Sequence, residues 1–300
     1  MEGIKIYINE TKPKGNLDLI YTLKDEITYG GYLVALCSPC LILSTSLILN
    51  IHIDLPLLLI SYLLPLIIYS YDYYKDIDKD IKNNSERAIF LKKKADKFPY
   101  IFSFYILLLI SLLILYSNYI LGAFILAIIA GGILYNVVFK NFTKKIPAFK
   151  NIFTAMNWAL VGAFFPLFYN SMDINLSFMI MFVFIFLRVM INVIFFDLKD
   201  MENDKSTGIK TLPVMLGKKS TVKVLNLINI VAFIPLIMGV YLNIISFSAI
   251  ALLTIFFYGY YYINKASSAT SVELESTAFS LVDLECIIWP VLLVIANFVI

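Results

Sequence analysis

Two short acidic clusters lie at the ends of long apolar stretches, and their carboxylates are spaced for binding a cation. The clusters contain Asp72, Asp76 and Asp80, and Asp197, Asp200 and Asp204. On a helix the members of each cluster would share one face, because residues three or four positions apart are neighbours there. Like charges on one face repel each other, and a divalent cation removes this repulsion. The clusters therefore indicate Mg²⁺, which carboxylates usually bind together with a phosphate-bearing substrate.

Basic residues follow each acidic cluster. Arg87 comes seven residues after Asp80, and Lys210 follows the second cluster. Carboxylates, Mg²⁺ and a few cations together form a clamp for a diphosphate and stabilise its charge as it leaves. The adjoining stretches are rich in Phe, Tyr, Ile and Leu, so the ligand is expected to carry an apolar tail. An isoprenyl diphosphate fits, and aromatic rings also suit an allylic cation.

The composition is that of a polytopic membrane protein. The chain has 300 residues, of which 60% are hydrophobic and 15% charged. Soluble domains have about 45–50% apolar and about 25% charged residues. The sequence has no motif for binding nucleic acid or a soluble cofactor, and its three cysteines have no spacing typical of a disulfide scaffold.

Hydropathy predicts an all-α bundle of nine transmembrane helices over residues 29–300. The segment 1–28 is polar and is expected to be cytoplasmic or interfacial. A span needs about 20 mostly apolar residues. The predicted spans are roughly 30–51, 55–71, 99–117, 119–139, 151–171, 174–196, 222–242, 244–263 and 277–300.

The distribution of basic residues orients these spans. All but one of the 24 Lys and Arg residues fall in the N-terminal segment, in alternate links, or just past one of those links. Basic residues near span ends mark the cytoplasmic side. We therefore predict an integral protein of the cell membrane with its N-terminus and both acidic clusters in the cytoplasm. An odd number of spans then places Ile300 outside.

The motifs resemble those of the UbiA superfamily of intramembrane prenyltransferases. The run from Asp197 to Asp204 is similar to the family pattern D-x-x-D-x-E-x-D, and the run from Gly208 to Pro213 to G-x-[KR]-T-L-P. The first cluster is similar to N-D-x-x-D-x-x-x-D, and the run from Asn83 to Arg87 to N-x-x-x-R. The resemblance covers nearly the whole chain and implies nine helices with both motifs on cytoplasmic loops.

The resemblance also implies roles for individual residues. All six aspartates would coordinate Mg²⁺, and Arg87, Lys140 and Lys210 would bind diphosphate. The implied catalytic residues are Asp76, Asp200, Tyr135 and Asn151. A polyprenyl diphosphate donor, geranylgeranyl or similar, would ionise to an allylic cation. A lipophilic acceptor in the membrane would capture that cation, with release of diphosphate.

Some positions depart from the family pattern or fit more than one role. Asp72 stands where the family usually has Asn, and Tyr73 where it usually has Asp. Arg188, within the sixth span, is expected to pair with a carboxylate inside the bundle or to replace an arginine missing before the second motif. Asp283 and Glu285 lie in the last span, where they fit either a functional role or side chains that reach the membrane surface.

Two other functions fit the same residues. A terpene cyclase or prenyl-diphosphate lyase would use the diphosphate clamp without an external acceptor. A cation-coupled secondary transporter would use the carboxylates as ion sites, although such sites usually lie near the middle of the membrane. For a transferase, the acceptor stays open between an aromatic quinone precursor, a prenylated glycerol phosphate and a tetrapyrrole.

Overall fold

The computed structural model describes residues 25–75, 77, 85–137, 142–143 and 145–299. Over these residues the chain forms helices and no strand, which confirms the predicted all-α membrane bundle. Three predicted site residues, Asp76, Asp80 and Lys140, lie outside the described residues.

The α-helices named below are numbered in chain order. They are α1 (Tyr32–Leu49), α2 (Leu55–Lys75), α3 (Ser85–Lys92), α4 (Phe98–Tyr116), α5 (Tyr119–Val137), α6 (Phe149–Tyr169), α7 (Leu176–Lys199), α8 (Met201–Thr207), α9 (Leu212–Leu216), α10 (Lys218–Tyr241), α11 (Thr254–Lys265), α12 (Ser271–Thr277) and α13 (Glu285–Val299). Short helical segments precede α4 at Ala95–Lys97 and α11 at Phe247–Leu253, and a π-helical segment, Ala278–Val282, follows α12.

Among the described residues, eight helical stretches are long and apolar enough to cross a membrane. They are Tyr32–Leu49, Leu55–Lys75, Ala95–Tyr116, Phe149–Tyr169, Leu176–Lys199, Lys218–Tyr241, Phe247–Lys265 and Ser271–Val299. The predicted fourth span coincides with α5, whose shorter apolar part is Tyr119–Gly132. Each of the nine predicted spans thus overlaps a helix. The number of membrane helices is approximately nine.

Helix α7 forms the centre of the bundle and has clear sequence signals at both ends. The Asn175 side chain caps its start by accepting hydrogen bonds from the Ser177 and Phe178 amides, and Lys199 lies in its last turn. Both features stabilise a helix, the first by satisfying free amides and the second through the helix dipole. Along α7 the side chains of Phe178, Phe184 and other apolar residues are fully buried.

Close contact between α1, α6 and α7 depends on a glycine. A Cβ atom at Gly162 would lie 3.0 Å from both Ile185 Cδ1 and Leu41 Cβ. Small residues of this kind let membrane helices approach each other closely. The three helices surround the cavity described below.

Two helices are interrupted near the predicted functional residues. Helix α7 ends at Lys199, and Asp200 connects it to α8, which Gly208 ends in a left-handed conformation with φ 73°. The last membrane helix is divided by the π-helical segment Ala278–Val282 before α13 begins. Polar residues at both interruptions line the cavity.

Candidate active site

A cavity of about 480 Å³ lies where α2 and α7 end, and members of both acidic clusters line it. Asp72 comes from the last turn of α2, and Asp197 and Asp200 come from the end of α7. The described members of the two clusters thus line one cavity, and their binding of one ligand stays a prediction. The volume falls in the range of about 300–1,000 Å³ that is usual for ligand pockets.

The start of α6 holds the Asp197 carboxylate in place. Asn151 Nδ2 donates to Asp197 Oδ2 at 2.6 Å, and Lys150 Nζ lies 3.1 Å from Asp197 Oδ1. The Asp197 and Asn151 side chains are buried, whereas Lys150 is partly exposed and lines the cavity. These hydrogen bonds to an ionised group fix the orientation of the carboxylate.

Asp200 is the more accessible acid of the second cluster. Its side chain is 38% exposed, and Lys199 Nζ lies 2.8 Å from Asp200 Oδ1. Partly exposed ion pairs contribute little stability. The Asp200 carboxylate can therefore exchange this partner for a cation in the cavity.

Asp204 is buried behind the cavity and does not line it. Burial raises the pKa of Asp204 to about 6; Lys150 opposes this rise, and the charges of Asp197 and Asp200 add to it. Asp204 Oδ2 has no hydrogen-bond partner among the described residues. This carboxylate oxygen is thus available to a cation that binds near the second cluster.

The described donor set fits Mg²⁺. It supplies oxygens, including two buried ones, Asp204 Oδ2 and Asn151 Oδ1, that have no partner among the described residues. No three acidic, His or Cys side chains within the described ranges lie close enough to hold one metal ion alone. Mg²⁺ is often held by only one or two carboxylates together with substrate phosphates and water, so this arrangement suits it.

Cationic side chains stand beside these acids. The Arg87 guanidinium lies over the Tyr73 ring, 4.2 Å from its centroid, and lines the cavity with Lys150. Lys210 is exposed and lies outside the lining, so its predicted diphosphate contact stays a prediction. Its main chain joins two loops, donating to the Thr143 carbonyl and accepting from the Ala148 amide, both at 3.2 Å.

Aromatic side chains form much of the remaining wall. Tyr135, predicted from the family resemblance, stacks on Phe153 with ring centroids 4.5 Å apart. The aromatic residues in the lining are Tyr69, Tyr73, Tyr135, Phe153, Trp158, Phe196 and Phe279. This wall joins the acidic groups to an apolar interior, the arrangement expected for a ligand with a charged head and an apolar tail.

Lys150 was not among the site residues predicted from the sequence. Its position directly before Asn151, at the start of a predicted span, was a usable signal. A lysine there is ordinarily interpreted only as a topology marker.

The expected partner of Arg188 is Glu285. Arg188 Nε and Nη2 donate to the Glu285 carboxylate at 2.9 and 2.6 Å, Tyr262 donates to it at 2.7 Å, and Arg188 Nη1 contacts Asn229. This confirms the expected pairing inside the bundle. Because Arg188 does not line the cavity, its alternative role as a replacement for the missing arginine was wrong.

The possibility that Asp283 and Glu285 reach the membrane surface was also wrong. Both residues are buried, 6% and 4% exposed respectively. Glu285 is committed to Arg188, which satisfies its charge in the interior. Asp283 instead lines the cavity, together with Asn192.

Comparisons with known proteins agree with this architecture. The structure is similar to digeranylgeranylglyceryl phosphate synthase (18% identity, 93% of this chain and 100% of the other, TM-score 0.59). It also resembles an apo UbiA homologue from Aeropyrum pernix K1 (13% identity, 91% of this chain and 98% of the other, TM-score 0.60). A third similar structure is a UbiA homologue from Archaeoglobus fulgidus bound to DMAPP and Mg²⁺ (14% identity, 91% of this chain and 100% of the other, TM-score 0.58). A comparison with curated protein sequences finds no match.

The family assignment rests on sequence as well as on fold. The model of the UbiA prenyltransferase family matches residues 32–279, which include both acidic clusters and most of the membrane helices. The structural matches, at low identity, support the same fold. The chain therefore belongs to the UbiA prenyltransferase family.

Proposed function

We propose that the protein transfers an isoprenyl group from a polyprenyl diphosphate to a lipophilic acceptor within the membrane and releases diphosphate. The observation that carries this proposal is the cavity shared by Asp72, Asp197 and Asp200. One described aspartate of the first motif and two of the second, far apart in the chain, line it beside cations and an aromatic wall. A diphosphate with an apolar tail complements all of these groups.

Each predicted site residue has a role in this proposed reaction. The six aspartates of the two clusters would hold Mg²⁺, which when bound neutralises the diphosphate and helps it to leave. Arg87, Lys140 and Lys210 bind diphosphate oxygens. Lys150 is added to these residues because it lines the cavity. Asn151 orients Asp197, and Tyr135 lines the cavity as part of its aromatic wall. The aromatic wall attracts the developing allylic cation.

The named relatives support the choice of substrates. One is a digeranylgeranylglyceryl phosphate synthase, and another is bound to DMAPP and Mg²⁺. A donor with a geranylgeranyl or similar chain is therefore our first choice for this protein.

The test is a product assay with the purified protein, Mg²⁺, labelled geranylgeranyl diphosphate and a membrane lipid extract. We expect diphosphate release and a prenylated lipid detected by mass spectrometry. Asp76→Ala and Asp200→Ala should both abolish release, whereas the matched change Asp173→Ala, in an exposed loop, should not. A cyclised hydrocarbon would identify a terpene cyclase, and unchanged release in both variants would refute the mechanism.

We also propose that residues 29–300 form one transmembrane domain in the cell membrane, with the acidic clusters on the cytoplasmic side and Ile300 outside. The distribution of basic residues supports this orientation. Cysteines introduced at the exposed Lys93 and Asp173 should be labelled by an impermeant thiol reagent from the cytoplasmic and the outer side, respectively. The reverse labelling pattern would refute the orientation.

A further inference from the structure

The last membrane helix is interrupted where it passes the cavity. Over Ala278–Val282 the helix is π-helical, and the Asp283 amide donates to the Ala278 carbonyl, five residues earlier, at 3.1 Å. Such segments are rare and frequently occur at functional sites. Here the interruption is followed directly by Asp283, whose side chain lines the cavity.

Side chains from other helices hold this interruption in place. Three successive carbonyls each accept a side-chain hydrogen bond: Leu281 from Tyr258 at 2.8 Å, Val282 from Asn192 at 3.3 Å, and Asp283 from the Cys37 thiol at 3.3 Å. The donors come from α11, α7 and α1. Because three helices satisfy the exposed carbonyls, the irregular backbone is a defined part of the fold.

The Asp283 carboxylate is free to accept a ligand hydrogen bond. The side chain is buried; the Asn192 amide hydrogen-bonds to it, and the Lys199 ammonium is the charged group near it. Lys199 also lines the cavity but is paired with Asp200 at 2.8 Å. A buried carboxylate has about four acceptor positions, so one amide neighbour leaves capacity for a donor from a bound molecule.

Ser38 provides an independent sign of a ligand. It is 1% exposed and lines the cavity, and its Oγ has no hydrogen-bond partner among the described residues. Ser38 and Asp283 line the same cavity, and Cys37, the residue before Ser38, donates to the Asp283 carbonyl. An unsatisfied buried hydroxyl destabilises a protein, and a polar group of a ligand would satisfy it.

The charges of the cavity select the kind of ligand. The cations of the described lining are Arg87, Lys150 and Lys199. Lys150 and Lys199 pair with acids of the second cluster, and Arg87 lies over the Tyr73 ring. The described lining also holds four acids, Asp72, Asp197, Asp200 and Asp283, so it favours a neutral donor such as a hydroxyl group over a carboxylate.

We propose that Asp283, Ser38 and Asn192 form the acceptor site, which takes the hydroxyl group of a neutral, lipid-soluble acceptor. The inference rests on the proposed transferase function and adds the chemical class of its second substrate. A bond forms between the hydroxyl oxygen and C1 of the prenyl group. The bond between C1 and the diphosphate oxygen breaks, and diphosphate leaves with the electron pair. The hydroxyl proton passes to the Asp283 carboxylate.

The test uses the full-length protein with Mg²⁺, labelled geranylgeranyl diphosphate and three acceptor probes. Monoolein and para-octylphenol are neutral hydroxyl compounds, and para-hydroxybenzoate carries a carboxylate. The wild-type protein should prenylate a neutral probe at least about tenfold faster than para-hydroxybenzoate. Asp283→Asn should lower this transfer by about a hundredfold, the usual order for loss of a general base.

Two further variants separate the acceptor site from folding and from the donor site. Ser38→Ala should raise the KM for the neutral acceptor without weakening Mg²⁺-dependent donor binding. Glu275→Gln is the matched control for Asp283→Asn, because it also replaces a carboxylate by an amide on the last membrane stretch but lies outside the cavity lining. It should change neither the KM for the neutral acceptor nor donor binding. If the wild-type protein fails to bind the donor, the transferase function itself is refuted.

Three results would overturn the acceptor site alone, given donor binding by the wild-type protein. One is preferred transfer to para-hydroxybenzoate. The second is diphosphate release without transfer to either neutral probe. The third is wild-type transfer rates in both Asp283→Asn and Ser38→Ala.

Discussion

Lys150 Nζ lies 3.1 Å from the Asp197 carboxylate and joins the start of α6 to the end of α7. Asp197 is 1% exposed, so Lys150 supplies a compensating charge for a carboxylate that has left water. The same ammonium group lines the cavity and is available to a diphosphate. One lysine thus links the stability of the second acidic cluster to its function.

We predict that Lys150→Met destabilises the metal-free protein. The change keeps the apolar stem but leaves the buried Asp197 charge with Asn151 as its one hydrogen-bond partner among the described residues. Breaking a fully buried pair destabilises by about 3–5 kcal/mol, and because Lys150 is partly exposed we expect about 1–2 kcal/mol. Thermal unfolding in EDTA measures this. Lys145→Met, an exposed lysine in the loop before α6, is the control, and equal unfolding temperatures would contradict the prediction.

Asn151→Ala should weaken Mg²⁺ binding. Asn151 orients Asp197 through a 2.6 Å hydrogen bond, and loss of such a supporting contact usually lowers metal affinity by about 10–100-fold. The measurement is the Mg²⁺ concentration that gives half-maximal diphosphate release. Asn170→Ala, just beyond the other end of α6, should leave this concentration unchanged. An unchanged requirement in Asn151→Ala would show that Asn151 has no such role.

The buried pair of Arg188 and Glu285 should behave as one unit. Arg188→Met and Glu285→Gln each leave an uncompensated group in the bundle, so each should destabilise the protein by about 3–5 kcal/mol. The double variant should be much less destabilised than the sum, because both charges are removed together. Unfolding in detergent micelles measures all three variants. Additive effects would mean that the two side chains do not interact.

Substitution by alanine should have different effects at two glycines, Gly259 and Gly131. A Cβ at Gly259 would lie 2.9 Å from Asn229 Oδ1 and 3.0 Å from Arg188 Nη2, so Gly259→Ala should destabilise by about 1–3 kcal/mol. At Gly131 the Cβ would meet no described heavy atom within 4 Å, and alanine there should be neutral or stabilising because it favours helix. The same unfolding assay compares them, and equal effects would contradict the packing around Gly259.

The membrane helices and the two acidic clusters could be predicted from the sequence because each follows from a local rule. A bilayer requires long apolar stretches, and two groups of three aspartates spaced for one helix face stand out at the ends of such stretches. The positions of Asp72, Asp197, Asn151 and Tyr135 in one cavity agree with that analysis.

Contacts between residues far apart in the chain could not be predicted from the sequence. Nothing local identifies Glu285 as the partner of Arg188, which lies 97 residues earlier. The π-helical segment before Asp283 has no turn or breaker residue to announce it; side chains from α1, α7 and α11 stabilise it. For Asp283 the sequence allowed either a functional role or a side chain that reaches the membrane surface. Its burial in the cavity wall, which the sequence does not show, distinguishes between them.

The proposed function requires that both acidic clusters bind one Mg²⁺-diphosphate. The direct test is a double-mutant cycle with Asp72→Ala and Asp200→Ala, measuring Mg²⁺-dependent binding of geranylgeranyl diphosphate by calorimetry. If the clusters share the ligand, the two effects should be coupled by about 0.5–3 kcal/mol. Effects that add within about 0.5 kcal/mol, as for independent sites, would contradict the claim.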